Sequence, residues 1–149
     1  EGKKAGAVLL AAELAEPTVK DIENLQIKSN EKVIRIVRLR LSDDVPVILE
    51  ENHFPKEFAF LLAEDLNGSL HEILLRHGIV LTRGSKTIGV CYATREEAKH
   101  LGVKGNDALI MSKDVAYDTS GRAVYSGKEI INADRYEYKI LTNSMGKTE

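Results

Sequence analysis

Two arginines spaced i, i+2 in a β-branched run, Val37-Arg-Leu-Arg-Leu41, are the residues whose types and spacing most readily suggest chemistry. On a strand, alternate side chains share a face, so Arg38 and Arg40 can converge on one phosphate or carboxylate from a rigid base. A solvated sheet face is the competing reading, because Ile34 and Ile36 share the arginine face while Val33, Val37 and Leu39 make the opposite face the more apolar one. The turn composition of Ser42-Asp-Asp-Val-Pro46 predicts a hairpin, and its loop length decides which acid meets the arginines. A two-residue loop sets Arg38 opposite Leu49 with Glu51 diagonal, and a four-residue loop sets it opposite Glu51. Both put Glu51 and His53 on the arginine face, whereas a three-residue loop substitutes Glu50 and Asn52.

Ser69 heads the capping-box pattern Ser69-Leu-His-Glu72. Its hydroxyl can close the helix or, with the exposed first-turn amides, face an anion. Tyr125, Gly127, Glu129 and Ile131 alternate onto one strand face, where the glycine leaves room for a ligand or marks a bulge on a solvent face. His71 and His77 fall about 120° apart around a helix and make poor joint metal ligands. Cys91 reads as a strand thiol of no special reactivity. Nucleotide-binding glycine loops, a nucleophile elbow and zinc-type Cys/His spacing are all missing, so neither cofactor nor metal is expected.

These residues need elements to hold them. The apolar stretch Ala5–Ala15 reads as a strand, Thr18-Val-Lys-Asp21 opens a short helix, and residues 32–54 form the hairpin. A helix containing Phe58, Leu61 and Leu62 ends near Asn67-Gly68, and the helix after Ser69 ends at Gly78. Residues 79–93 read as β structure turning at Gly84, and Thr94-Arg-Glu-Glu97 caps a short helix closed by Gly102. A second hairpin spans Asp107–Asp134 with its turn at Asp118-Thr-Ser-Gly121, and Tyr136–Leu141 reads as a last strand. Strands joined by hairpins with clustered helices predict an α+β class, an antiparallel sheet with helices packed on it.

At 149 residues, 43% hydrophobic and 30% charged, the chain has the composition of one soluble globular domain. Its formal charge of −2 lacks the basic field of a free-standing DNA binder. One cysteine, no bilayer-length apolar run and no recognisable signal peptide predict a cytoplasmic location without membrane contact.

Taken in order, Val37-Arg-Leu-Arg-Leu41, Val45-Pro46, Glu51-Asn-His-Phe-Pro55 and Ser69-Leu-His-Glu-Ile-Leu-Leu-Arg-His-Gly-Ile79 carry a resemblance, extended by Ala93-Thr-Arg-Glu-Glu-Ala98, Leu101-Gly-Val103, Ala116-Tyr-Asp118, Gly121-Arg122 and Ala133-Asp-Arg-Tyr136. Over nearly its whole length the chain resembles the UTRA (UbiC transcription regulator-associated) domain, the effector-binding half of GntR-type, HutC-branch bacterial regulators. The resemblance implies a chorismate-lyase-like fold, a small anionic metabolite such as a phosphosugar or carboxylate as effector, a homodimer, and DNA contact only through an N-terminal winged-helix domain absent from this chain. It also implies that Arg38 and Arg40 hold the anionic group with Ser69 assisting and that Glu51 and His71 contact the rest of the ligand; Tyr125 and Glu129 are assigned to the same site by their strand alternation with Gly127. His71 stands where many members have Tyr, Val124-Tyr-Ser-Gly127 replaces a common Val-Glu-Tyr-Ser, and Ile131 replaces an aromatic. These departures weigh against an amino-sugar ligand and leave the anion site intact. A binding module is therefore expected ahead of a chorismate-lyase-like enzyme or a purely structural dimerisation domain.

Overall fold

The computed structural model describes residues 2–141. Its strands are β1 (Ala5–Ala15), β2 (Val33–Ser42), β3 (Val45–Pro55), β4 (Leu81–Tyr92), β5 (Ala108–Asp118) and β6 (Ala123–Ile131), joined in one sheet of order β1-β2-β3-β6-β5-β4 with every neighbour antiparallel. Three short helices, α1 (Val19–Leu25), α2 (Leu70–Arg76) and α3 (Arg95–Leu101), and a 3-10 segment, Lys56–Ala63, complete the described elements. The α+β class expected from the hairpins is the observed one.

Local chemistry accounts for the ends of the helices. Thr18 with Asp21 and Thr94 with Glu97 form reciprocal capping boxes, while α2 begins where Ser69 Oγ accepts from the Glu72 amide at 3.2 Å. Gly102 stops α3 at a φ of 70°, a conformation a β-carbon disfavours.

The first hairpin turns on Asp43 and Asp44, both at positive φ (51° and 66°), as a two-residue loop matched to strand twist. A bulge follows at once. Leu41 pairs with Pro46 but Arg40 pairs with Ile48, so Val47 is an extra residue in β3. Everything beyond it is shifted by one position, and Arg38 lies opposite Glu50.

Three expectations about elements are corrected, the first being the helix expected to end near Asn67-Gly68, which is a 3-10 segment stopping at Ala63 with Glu64 extended. β4 runs unbroken from Leu81 to Tyr92 instead of turning at Gly84. There the glycine lets the neighbouring strand approach, since a β-carbon at this position would stand 2.7 Å from the Val115 carbonyl oxygen, beside a register shift between Leu81 and Arg83. The stretch 136–141 is not a strand, because Tyr136 and Tyr138 instead fold back to pack on Val47, Ile48 and Ile131.

Helices cover both faces of the sheet. On one, Ile34, Ile36, Phe54 and Val124 meet Phe58 and Leu61 of the 3-10 segment and Leu70, Ile73 and Leu74 of α2. On the other, α3 seats Ala98 and Leu101 on Leu39, Leu109 and Ile130, and α1 brings Leu25 to Val33 and Ala123. Each fully buried Ile, Leu or Phe contributes roughly 1.5–3 kcal/mol. The Ile34–Ile36 half of the arginine face is thus core, and its Arg38–Arg40 half opens into a cleft.

Candidate functional site

The cleft encloses about 640 Å³. Its floor is two polar rows across the sheet, fixed by register: Arg38, Glu50 and Glu129 in one, Asn52, Gly127, Asp114 and Lys86 in the next. The loop Asn67-Gly-Ser69 leading into α2, with His71, forms one wall. The small residues Ala5, Gly6 and Ala7 of β1 form another beside Arg40, and Tyr136 and Tyr138 close the far end.

Arg38 is buried and already engaged. Its Nε donates to Glu50 Oε2 at 3.0 Å, and its Nη1 donates to the carbonyls of Leu66 (3.3 Å) and Gly68. Rather than waiting for an anion, this guanidinium pins the loop that presents Ser69. Removing it would leave buried Glu50 with only the longer Arg40 contact and a hydrogen bond from Asn52 Nδ2 at 3.2 Å, a destabilising change.

Arg40 is the available one. Its side chain is 40% exposed, and its Nη1 lies 3.4 Å from Glu129 Oε2 and 3.6 Å from Glu50 Oε1. Burial holds the Glu129 carboxyl above its usual range, with Arg40 opposing and Glu50 adding to the effect. Burial likewise pushes the Tyr125 hydroxyl to about 12, helped by Asp114, Glu50 and Glu129, so it stays a proton donor at neutral pH. His71 Nε2 stands 3.5 Å from that hydroxyl. Lys86 reaches in from β4 to both Asp114 oxygens (2.9 and 2.8 Å) and lies over the Tyr138 ring. Arg38, Arg40 and Lys86 therefore face Glu50, Asp114 and Glu129, a balance of three against three.

Of the residues expected at the site, Arg38, Arg40, Ser69, His71, Tyr125 and Glu129 meet around this cleft. Glu51 does not, which corrects the expectation for it. The bulge at Val47 puts Glu51 on the opposite face, where it accepts from Arg35 Nε at 2.9 Å and meets His53 Nε2 at 2.7 Å; Glu50 takes the place by Arg38. The His53 contact, with Arg35 and against burial, lowers Glu51 to about 2. Gly127 leaves room, but the Asn52 side chain fills it. Lys86, Asp114, Tyr136 and Tyr138 escaped sequence reasoning, because their nearness to Arg40 depends on strand order and on a tail without regular structure. His71 and His77 are apart, His77 pairing with Glu64 at 2.9 Å. Among the described residues, no three His, Cys, Asp or Glu side chains are grouped to hold a metal ion, and no helix is long and apolar enough to cross a membrane.

A cleft of this size on one face of an all-antiparallel α+β sheet is the kind of cavity in which small-molecule sites are found. The family model for the UTRA domain matches residues 1–137, and the chain belongs to that family. Two relatives from Bacillus subtilis (strain 168) are similar along most of it. The uncharacterized HTH-type transcriptional regulator YurK is 26% identical over 144 residues, covering 93% of this chain and 59% of the regulator. The HTH-type transcriptional repressor NagR is 27% identical over 139 residues, covering 92% and 57%. The chain thus spans less than three-fifths of the length of these curated relatives. In fold it resembles the effector domain of PhnF from Mycobacterium smegmatis, with a TM-score of 0.88 at 24% identity over 96% of this chain and 90% of that one. A GntR-family transcriptional regulator from Enterococcus faecalis V583 gives a TM-score of 0.72 at 18% identity over 95% of this chain and 100% of that one.

Proposed function

We propose that this chain is the effector-sensing domain of a cytoplasmic GntR-type regulator of the HutC branch. It takes a small anionic metabolite, a phosphosugar in the first instance, and passes the fact of occupancy to an N-terminal winged-helix domain that contacts DNA. The observation that carries this reading is the composition of the cleft wall: Ala5, Gly6 and Ala7, at the leading end of β1, line the same cavity as Arg40 and Ser69. A ligand touching them touches the strand through which a preceding domain attaches. Arg40 receives the anionic group, with Ser69 on the adjacent loop, while His71, Tyr125 and Glu129 meet the hydroxyls. A second copy completes the sensor along the outer edge of β4.

Regulation by such a domain is a population shift, bounded by the ligand's difference in affinity between the two arrangements of the full-length protein. The test is calorimetry against a panel of sugar phosphates, after native mass spectrometry of whatever co-purifies. Arg40→Ala is expected to weaken the best ligand about tenfold or more, the loss of a charge-assisted contact. Undiminished affinity in that variant would exclude the anion site. Arg38→Ala is the poorer probe, because it releases the 66–68 loop as well.

A further inference from the structure

The face of the sheet that carries α1 and α3 holds a second groove of about 470 Å³, on the side away from the cleft. Register lays a row of charge across its floor. Glu51 pairs with Lys128, Lys128 with Lys113 and Lys113 with Thr87, on β3, β6, β5 and β4 in turn. Two lysines stand directly opposite each other on neighbouring strands, an arrangement that destabilises a sheet unless something negative lies between them.

The protein's own acids are committed elsewhere. Asp21 Oδ2 and Glu51 Oε2 each lie 2.7 Å from a ring nitrogen of His53, and Glu51 also accepts from Arg35 Nε at 2.9 Å. Asp114 directs its carboxylate to Lys86 on the other face. Lys20, at the rim, has Glu23 at 3.4 Å. Among the described residues, Lys113 and Lys128 form neither an ion pair nor a side-chain hydrogen bond, although every other charged group flanking them does. Neutral hydrogen-bonding groups also line the groove. Ser126 Oγ accepts from Asn24 Nδ2 at 3.1 Å, which leaves the serine proton free to donate, and Thr87 and Ser85 line the β4 side.

We propose that this groove is a second ligand site, in which Lys113 and Lys128 bracket the phosphate or carboxylate of a small oxyanionic molecule and Ser126 and Thr87 hydrogen-bond to it. Two ammonium groups on adjacent strands, with β-carbons about 5 Å apart, span one tetrahedral or planar oxyanion. The volume admits a ligand of metabolite size. The two cavities open on opposite faces of the sheet and share only Asp114 among their lining residues, so this proposal does not rest on the sensing role proposed for the Arg40 cleft.

The test is an amide NMR titration of the whole chain at constant ionic strength, with inorganic pyrophosphate and citrate as separate probes and sodium chloride as control. Saturable shifts are expected at Lys113, Ser126 and Lys128. Lys113→Gln combined with Lys128→Gln should weaken pyrophosphate about tenfold or more, and each single change about threefold, the arm to read should the double variant not fold. Arg40→Ala should leave this affinity within about twofold, whether or not it affects the cleft ligand. A response confined to cleft residues, shifts matched by chloride, or lysine variants that bind as tightly as the parent would overturn the site. So would a groove whose amides respond to dilution and not to pyrophosphate, which would show a second copy occupying it. Response to pyrophosphate alone, or to citrate alone, assigns the site to phosphates or to carboxylates.

Discussion

Arg40 and Glu129 set the terms on which an anion enters the cleft, because the guanidinium that would receive it is already shared with two carboxylates. Burial holds Glu129 above its ordinary range, and a bound anion beside it would raise it further, so binding and protonation of Glu129 favour each other. Affinity for a hexose sulfate, whose charge is constant, is therefore expected to rise as acidification protonates Glu129, by at most about tenfold per pH unit. Glu129→Gln should bind more tightly at neutral pH and lose most of that slope. Carrying His71→Gln in both backgrounds removes the imidazole beside Tyr125 from the comparison. Calorimetry across a pH series decides it, and a Glu129→Gln protein that keeps the full slope rules the coupling out. The arginines, Ser69, Tyr125 and Glu129 could be placed together from alternation and resemblance, since strand faces follow directly from residue parity. Choosing between Glu50 and Glu51 depended on one extra residue at Val47, and nothing in the turn composition distinguishes a plain hairpin from a bulged one.

At the level of elements, α1 is held to the sheet chiefly by Leu25 and by one ionic clasp, Asp21–His53–Glu51–Arg35. Burial disfavours the charged imidazole, but the hydrogen bonds it donates to Asp21 and Glu51 outweigh this and raise His53 to about 9. Arg35, in register with His53 on β2, donates to Glu51 and so completes the clasp. A raised pKa gives stability that is fully present below about 6.5, where the unfolded chain is also protonated, and lost as pH climbs through about 9. Its size is no more than about 3 kcal/mol. Glu51, lowered to about 2, reports the same contact from its other end and loses it on acidification below about 4.5, so the two are not summed. Urea melts at pH 6, 7.5 and 9 should show the parent weakening as pH rises and His53→Gln weaker at pH 6 but nearly flat; parallel curves would dismiss the clasp. The Thr94–Glu97 capping box was legible from sequence because a cap is local, spanning three residues, whereas the box expected at Ser69 keeps only the half in which the serine accepts from the Glu72 amide. Gly84 was misread because its reason lies on another strand, at Val115.

For the whole molecule the open question is what covers the ends of a six-stranded sheet. Its two edges are treated differently. β1 has a register shift between Leu9 and Ala11, and Asn67 Oδ1 accepts from the Leu9 amide, so that edge is kinked and partly occupied. β4 pairs with β5 without interruption from Arg83 to Tyr92, and alternation presents Ile88, Val90 and Tyr92 on one side at 46%, 62% and 65% exposure. An uninterrupted edge with a row of exposed apolar side chains is a template for another strand, and a second copy supplies an identical one about a two-fold axis. Hairpins could be read locally, but that β6 lies beside β3 and leaves β4 outermost is decided by pairings some eighty residues apart, to which no turn signal points. For the homodimer proposed above, Val90→Lys is expected to place charges face to face across that axis and weaken association at least about tenfold, read by sedimentation over a concentration series. Because Val90 is mostly solvated within one chain, the circular dichroism and melting midpoint of the variant should match those of the parent at concentrations where both are monomeric. A variant that dimerises as strongly as the parent would exclude β4 as the joint, and the apolar residues of β1, Val8, Leu10 and Leu14, would then be the next edge to charge.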